Sequence, residues 1–395
     1  MGYCTMWAYA WDIEDEGIVQ ALQRFRHHLD LDAISIAAKY HSVEQFRPRA
    51  QAHKWFIARE AALYFQPRWE LYRRTRFKPH VSPLAIGRNP LAAITAEAEA
   101  IGLKVIAWTV CFHDSFLGHR YPEAASRNAF GDVYHSYVCP ANPDAQAFIK
   151  ALCCDLDANY PLWAIELESL HYGGVGHFHK HEKFGVDLGA AGMCLLGLCF
   201  CENCMRLGQM RGVDMERLRR HIIECIEHAL RTGSTLGDDV RVLFERLHGL
   251  REFLRAREDA ILELLRDIKR NVSTQVFFII MGDRWTMGIN PTAIGQIAHR
   301  VEVLCYTSDA MQVQKYVGEM VEWLGTPDKL TVGLQAYPPA SPNAKVLLDN
   351  VRAALDCGVT SFSFYHHGIM PEPNFDWVRD AVKLIRGTYA VGTSS

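Results

Sequence analysis

The chain has 395 residues, 49% of them apolar and 22% charged, with 42 Lys and Arg against 45 Asp and Glu and a formal charge of −3. This is the composition of a folded globular protein and excludes disordered and fibrous classes. The near-neutral balance gives no electrostatic footprint for nucleic acid.

Apolar runs of about ten residues are too short to span a bilayer, so no membrane partner is expected. Residues 1–4 lead straight into strand-like sequence, with no basic segment or cleavage site, and Met6 stands where a myristoylation signal wants Ser or Thr. A cytoplasmic location is the expectation. In that reducing compartment the 12 cysteines read as buried hydrophobes, metal ligands or catalytic groups before disulfides.

Single cores rarely exceed ~250–300 residues, which leaves two domains or one large barrel with insertions. In chain order, short β-rich runs alternate with helical patterns. Strands are predicted over 4–11, 33–41, 104–113, 162–170, 274–283, 301–307, 329–337 and 360–366. Helices are predicted over 17–29, 90–101, 144–156, 291–299, 310–324, 343–357 and 375–385, with two more, 215–231 and 238–270, inside the segment after the fourth strand. Strand-then-helix repetition of this kind predicts a single (β/α)₈ TIM barrel over 1–395. A doubly wound sheet would need a glycine-rich phosphate loop after the first strand, and Trp7-Ala-Tyr-Ala-Trp11-Asp is not one. The barrel carries long insertions after strands two, three and four, at 42–88, 114–142 and 173–271, on the face where barrels place their sites.

Strand parity gives the interior. Ser35, Ala37, Lys39 and His41 alternate with bulky apolar residues, as do Ala164, Glu166 and Glu168, then Thr331, Gly333, Gln335 and Tyr337, then Ser361, Ser363 and Tyr365. The apolar set can face the helices and the small and polar set the barrel axis.

Four groups of residues could carry chemistry. Cys199-Phe-Cys201-Glu-Asn-Cys204 places three thiols within reach of one tetrahedral Zn²⁺, which wants four soft ligands. Cys139 is the first choice for the fourth, with Cys194, Cys153 and Cys154 as alternatives, and the zinc would be structural. Burial without metal is the plainer alternative. Glu166 and Glu168 put two carboxylates on one inward face, costly unless paired or used. Glu168, nearer the rim, suits a general acid/base, and Asp283 and Asp309 are the natural second carboxylates. Ion pairing with Lys39 is the alternative for the glutamates, and helix capping for Asp309. Trp7, Tyr9, Trp11, Trp108, Trp285, Tyr306, Tyr337 and Tyr365 crowd strand ends, where aromatics with polar tips stack on sugars. His41, His113, His366 and His367 end strands, where they suit proton transfer or hydroxyl binding, and His171, His177, His179 and His181 crowd the connection after strand four; Glu168 with His41, His113, His171 or His181 could hold a second divalent metal.

Cys139-Pro-Ala-Asn-Pro143, the carboxylates of strand four and the Cys-x-Cys-x-x-Cys run together resemble family-42 β-galactosidases and related barrels of the retaining glycosidase clan. The chain also looks like uncharacterised glycosidase-like barrel proteins. The resemblance is close over 138–205 and architectural elsewhere. It implies zinc ligation by Cys139, Cys199, Cys201 and Cys204, and an acid/base role for Glu168, or Glu166. The sequence departs from that family at two places: Glu168-Ser169 stands for its Asn-Glu, and strand seven ends in Gln335, not in a nucleophilic Glu. A covalent retaining mechanism needs a second carboxylate ~5 Å from the first, which Gln335 cannot supply.

The leading expectation is therefore a glycoside hydrolase acting on a small glycoside or oligosaccharide. A metal-dependent lyase or isomerase on a sugar or sugar acid is the alternative, with Lys39 or Arg284 holding a carboxylate. A non-catalytic sugar-binding barrel is the third reading. A homo-oligomer is a further possibility, since symmetric assemblies are common.

Overall fold

The computed structural model describes residues 2–51, 53–175 and 183–392. Eight parallel strands close into a barrel: β1 (Cys4–Ala8), β2 (Ala33–Tyr40), β3 (Lys104–Val110), β4 (Ala164–Glu168), β5 (Gln275–Ile280), β6 (Arg300–Leu304), β7 (Leu330–Gln335) and β8 (Ser361–Tyr365). Neighbours follow chain order, and β1 pairs with both β8 and β2, so the sheet has no free edge among these strands. The predicted TIM barrel is the observed fold.

Local sequence explains where the helices start. Three of them, Pro90–Ala100, Pro143–Asn159 and Pro291–Ile297, open with Asn-Pro. Proline forfeits a backbone N–H that has no helical partner there, and the preceding Asn side chain accepts one that would be left over. The bonds are Asn89 to Ala92 N, Asn142 to Ala145 N and Asn290 to Ala293 N. The helix expected over 238–270 is broken. Val240–Leu243 is a short 3₁₀ turn, Gly249 adopts φ 87°, and Leu250–Asn271 follows. A Cβ at Gly249 would also lie 2.7 Å from Val213. Leu250–Asn271 packs beside Pro143–Asn159 and Pro291–Ile297, in the ring of helices around the barrel. Among the described residues, no single helix is long and apolar enough to cross a membrane.

The interior is layered as the parity requires. Tyr3, Ala33, Ile106, Ala164 and Phe277 plug the bottom as a separate apolar cluster. The next layer is polar: Trp7 Nε1 and Ser35 Oγ donate to Glu166 Oε2 at 2.8 and 2.6 Å.

The long connections build the upper face. After β2 comes a hairpin, Val43–Phe46 with Trp55–Ala58. After β3 comes another, Ala125–Arg127 with Val133–Val138. After β4 come helices Gly189–Gly197, Glu202–Gln209 and Met215–Thr232.

Candidate active site

β4 ends at Glu168, and the next residue, Ser169, has φ 54°, the left-handed region that a side chain enters only when its surroundings hold it there. Two bonds hold it: Cys111 N donates to Glu168 O at 2.8 Å and Phe112 N to Ser169 O at 3.1 Å. The Glu168 carboxyl thereby stands at the floor of a cavity of about 390 Å³ over the C-terminal ends of the strands.

The walls are mostly aromatic. Trp7, Tyr9, Tyr40, Trp108, Tyr306, Tyr337 and Tyr365 line the cavity. Tyr9 stacks between Trp11 at 4.2 Å and Trp108 at 5.6 Å, and Tyr365 meets the Trp7, Trp108, Tyr306 and Tyr337 rings. His41 and His113 line one side, stacked on each other at 4.4 Å. Trp108 Nε1 donates to Glu168 Oε2 at 2.5 Å. Burial outweighs this bond, which favours the carboxylate, and Glu166 below adds to the effect, so the Glu168 carboxyl is pushed up to about 7.

Of the residues singled out by sequence, the cavity gathers Trp7, Tyr9, His41, Trp108, His113, Glu168, Tyr306, Tyr337 and Tyr365. Others stand elsewhere. Strand β1 ends before Trp11, which lies in the helix Ala10–Glu16 and supports Tyr9 from behind, donating to Gln45 Oε1 at 2.7 Å. A bulge between Ala37 and Lys39 breaks the alternation of β2. It sends Lys39 sideways to Asp114 at 2.9 Å and to the carbonyls of Val110 and Cys111, and brings Tyr40 to the cavity in its place. Lys39 therefore pairs with neither glutamate.

Asp283 and Asp309 are helix caps, accepting from Trp285 N and Thr286 N and from Met311 N, and neither lines the cavity. Arg284 is paired with Glu258 and lies over the Trp285 ring, which packs on Phe244. Gln335 turns to its own loop, donating to Pro338 O at 3.2 Å. His171 bonds the Tyr172 carbonyl at 2.8 Å, and His367 is buried between Glu16 and Arg49 at 2.9 and 3.0 Å. His366 meets the Tyr9 ring at a tilt, 4.1 Å between centroids, behind the wall. His177, His179 and His181 lie outside the described residues.

The insertions add what strand parity could not supply. Glu44 comes from the first hairpin and Tyr137 from the second. The first hairpin is seated by a buried network in which Gln45 Nε2 and Arg47 Nε donate to the two Asp12 oxygens at 2.8 and 2.6 Å. Gly368 allows that approach: a Cβ there would lie 1.7 Å from Asp12 Oδ2 and 2.6 Å from Gln45 Nε2. Gly368→Ala is expected to destabilise the protein by about 2–4 kcal/mol, because it overpacks a buried ion pair. An unchanged thermal midpoint would show that the network does not seat the hairpin.

A second cluster stands apart from the cavity. Cys139, Cys199, Cys201 and Cys204 are buried, and their four sulfurs lie within 4.8 Å of one another. Cys139 Sγ is 3.3 Å from Cys204 Sγ and 3.6 Å from Cys201 Sγ. Tetrahedral zinc with bonds of ~2.3 Å spaces its sulfurs ~3.8 Å apart, so the set fits such an ion. Cys153, Cys154 and Cys194 are outside it. Among the described residues this is the one group of three or more metal-capable side chains brought together.

No family model matches the chain, and no curated protein matches it. Solved structures do. The PgaB (BpsB) glycoside hydrolase domain from Bordetella bronchiseptica superimposes with a TM-score of 0.62 at 11% identity, over 96% of this chain and 99% of that one. The chain shares its barrel fold. α-L-Fucosidase isoenzyme 2 from Paenibacillus thiaminolyticus gives 0.57 at 13% identity, over 99% of this chain and 50% of that one. The catalytic domain of β-amylase from Paenibacillus polymyxa gives 0.54 at 10% identity, over 96% and 97%. At these identities the likeness is one of fold.

Proposed function

We propose that the chain is a carbohydrate-active enzyme that cleaves glycosidic bonds, with Glu168 as general acid/base. One observation carries the reading: a carboxyl that burial pushes up to about 7 stands at the floor of an aromatic-walled cavity large enough for a sugar. The fold neighbours, named as a glycoside hydrolase domain, an α-L-fucosidase and a β-amylase, are in keeping with it. Glu168 would give its proton to the leaving oxygen, and the aromatic rings would hold the sugar faces. Glu44, on the same cavity, is the second carboxylate in this reading, in place of Asp283 and Asp309. It would activate water or balance positive charge at the anomeric carbon.

The lyase alternative is weakened by the same geometry, since Lys39 and Arg284, its two carboxylate-holding cations, are committed to Asp114 and Glu258. The Cys139, Cys199, Cys201 and Cys204 thiolates would hold one structural Zn²⁺, closed to substrate and remote from the reaction. A panel of aryl glycosides and oligosaccharides tests the reading. Turnover by the wild type with at least a tenfold loss in Glu44→Gln supports it. A wild type that binds glycans and turns over none would leave the sugar-binding barrel in its place.

A further inference from the structure

Among the described residues three carboxyls stand inside the barrel, and the proposed reaction uses the uppermost. Glu166 and Glu302 lie beneath Glu168, at 0% and 1% exposure. They project from β4 and β6, on either side of β5, and each carboxyl bears on the protonation of the other. Trp7 and Ser35 occupy Glu166 Oε2. Among the described residues, no N–H and no cation reaches Glu166 Oε1 or either oxygen of Glu302. The Ser363 hydroxyl of β8 bears on Glu302 from the side and favours its charged form. β7 makes the room: a Cβ at Gly333 would lie 3.3 Å from Glu302 Oε1 and 2.8 Å from the Trp7 ring.

The charges around the pair are accounted for strand by strand. Below it, Arg300 of β6 bonds Asp328 O and Ser361 Oγ and lies over the Tyr3 ring of β1, whose hydroxyl meets Thr331 of β7. On β2, Lys39 is paired with Asp114. Among the described residues β5 offers Phe277 and Ile279 on this face, neither of them charged. Above, Glu168 faces Trp108 and Cys111 of the third strand and its extension, and the phenols of Tyr40, Tyr306 and Tyr365. His41, His113, Glu44 and Tyr137 complete the cavity wall above it.

Two adjacent carboxylates with no cation cannot both ionise in a low-dielectric interior. We infer that Glu302 and Glu166 hold one proton between them, and that the single negative charge they retain makes them positioning residues for the protonation of Glu168. Glu302 carries the proton, because burial and the adjacent Glu166 push it well above the ordinary carboxyl range. Burial raises Glu166 as well, but Trp7 and Ser35 donate to its Oε2 and oppose that rise, so the charge rests on Glu166. That charge, one layer below Glu168, disfavours a second one at the cavity floor. Its catalytic consequence rests on the reading of Glu168 as the acid; the shared proton does not.

Infrared titration of the full chain reads carboxylic acids directly and needs no substrate. The wild type should show a protonated carboxyl that persists well above neutral pH and a second that titrates near 7, the latter absent from Glu168→Gln. In Glu302→Gln the persistent signal should vanish while the Glu168 midpoint stays, since Glu166 stays charged. In Glu166→Gln the persistent signal should remain and the Glu168 midpoint fall by about one pH unit, a tenfold change in its acid-to-carboxylate ratio. The alkaline limb of glycoside turnover should fall with it. Persistence of the signal in Glu302→Gln, or an unmoved Glu168 midpoint in Glu166→Gln, overturns the inference. Should Glu166→Gln fail to fold, Glu302→Gln still decides. If the infrared results hold and no glycoside is turned over, it is the enzymatic reading that fails.

Discussion

Glu168→Gln should leave a folded protein whose turnover of any glycoside accepted by the wild type falls by about 10²–10⁴-fold, the usual worth of a general acid. The amide keeps the Trp108 hydrogen bond through its oxygen and has no proton to give. In the wild type the acid form prevails below about 7, so activity should decline as pH rises through that value. Trp108→Phe removes the bond that favours the carboxylate, so its alkaline limb should move up in pH. Glu168 itself should weaken the fold. The unfolded chain releases this proton at the ordinary value of 4.5, the folded chain at about 7. Between the two the folded state binds more protons, so stability falls as pH rises across that window and stays lower above it. The difference is at most roughly 3 kcal/mol, less because Glu168 keeps some contact with solvent. Glu168→Gln should therefore melt higher than the wild type above about pH 8 and at the same temperature below about pH 4. A variant that keeps full turnover, or shows no pH-dependent gain in stability, would refute the placement of Glu168 as a buried acid.

Period-two alternation in β4, β7 and β8 was enough to read the barrel and the inward direction of Glu166, Glu168 and Tyr365, because both faces of a barrel strand are buried and differ in chemistry. The same parity could have found Glu302, which alternates with Val301 and Val303 and precedes Leu304 and Tyr306 on the inward side. Parity failed where the backbone departs from it. The β2 bulge exchanges Lys39 for Tyr40, and β1 stops at Ala8, so Trp11 enters a helix and faces Gln45. The strand ends were read too long for a related reason. Asp283 and Asp309 continue a polar pattern on paper, but each lies next to a helix whose free N–H groups claim its carboxylate. Glu44 and Tyr137 were beyond reach, since their hairpins are placed by contacts far off in sequence, such as Gln45 with Trp11 and His113 with Tyr137.

Loss of the Cys-cluster metal should have the largest effect on stability, and its consequences should reach the cavity. The purified chain is expected to carry one zinc. Cys204→Ser should abolish that stoichiometry and sharply lower the thermal midpoint, and chelation during partial unfolding should do the same. In small zinc domains the metal contributes roughly 10–16 kcal/mol of apparent binding energy; a preformed pocket in a large barrel should forfeit only part of that. The cost arises because four buried thiols are drawn within 4.8 Å of one another. The contacts among them push Cys199 well below the usual thiol range and Cys139 and Cys204 well above it, so the four cannot all ionise until a cation is there to neutralise them. The cluster also joins two connections: Cys139 follows the strand Val133–Val138, and Cys201 caps the helix Glu202–Gln209. Backbone bonds run alongside, from Phe200 N to Arg127 O and from Arg127 N to Cys199 Sγ. Tyr137, two residues before Cys139, lines the cavity and stacks on His113 at 4.7 Å, and Gly173 closes against its ring so tightly that a Cβ would lie 2.2 Å away. Freed of the metal, the hairpin loses its anchor at one end, and Tyr137 with it. Cys204→Ser should therefore raise KM for a glycoside by several-fold at temperatures where the barrel still holds, with a smaller change in kcat, because Glu168 sits on β4 and not on the hairpin. A metal-free chain with the wild-type midpoint, or a Cys204→Ser variant with unaltered KM, would show that the cluster neither binds a structural ion nor supports the cavity wall.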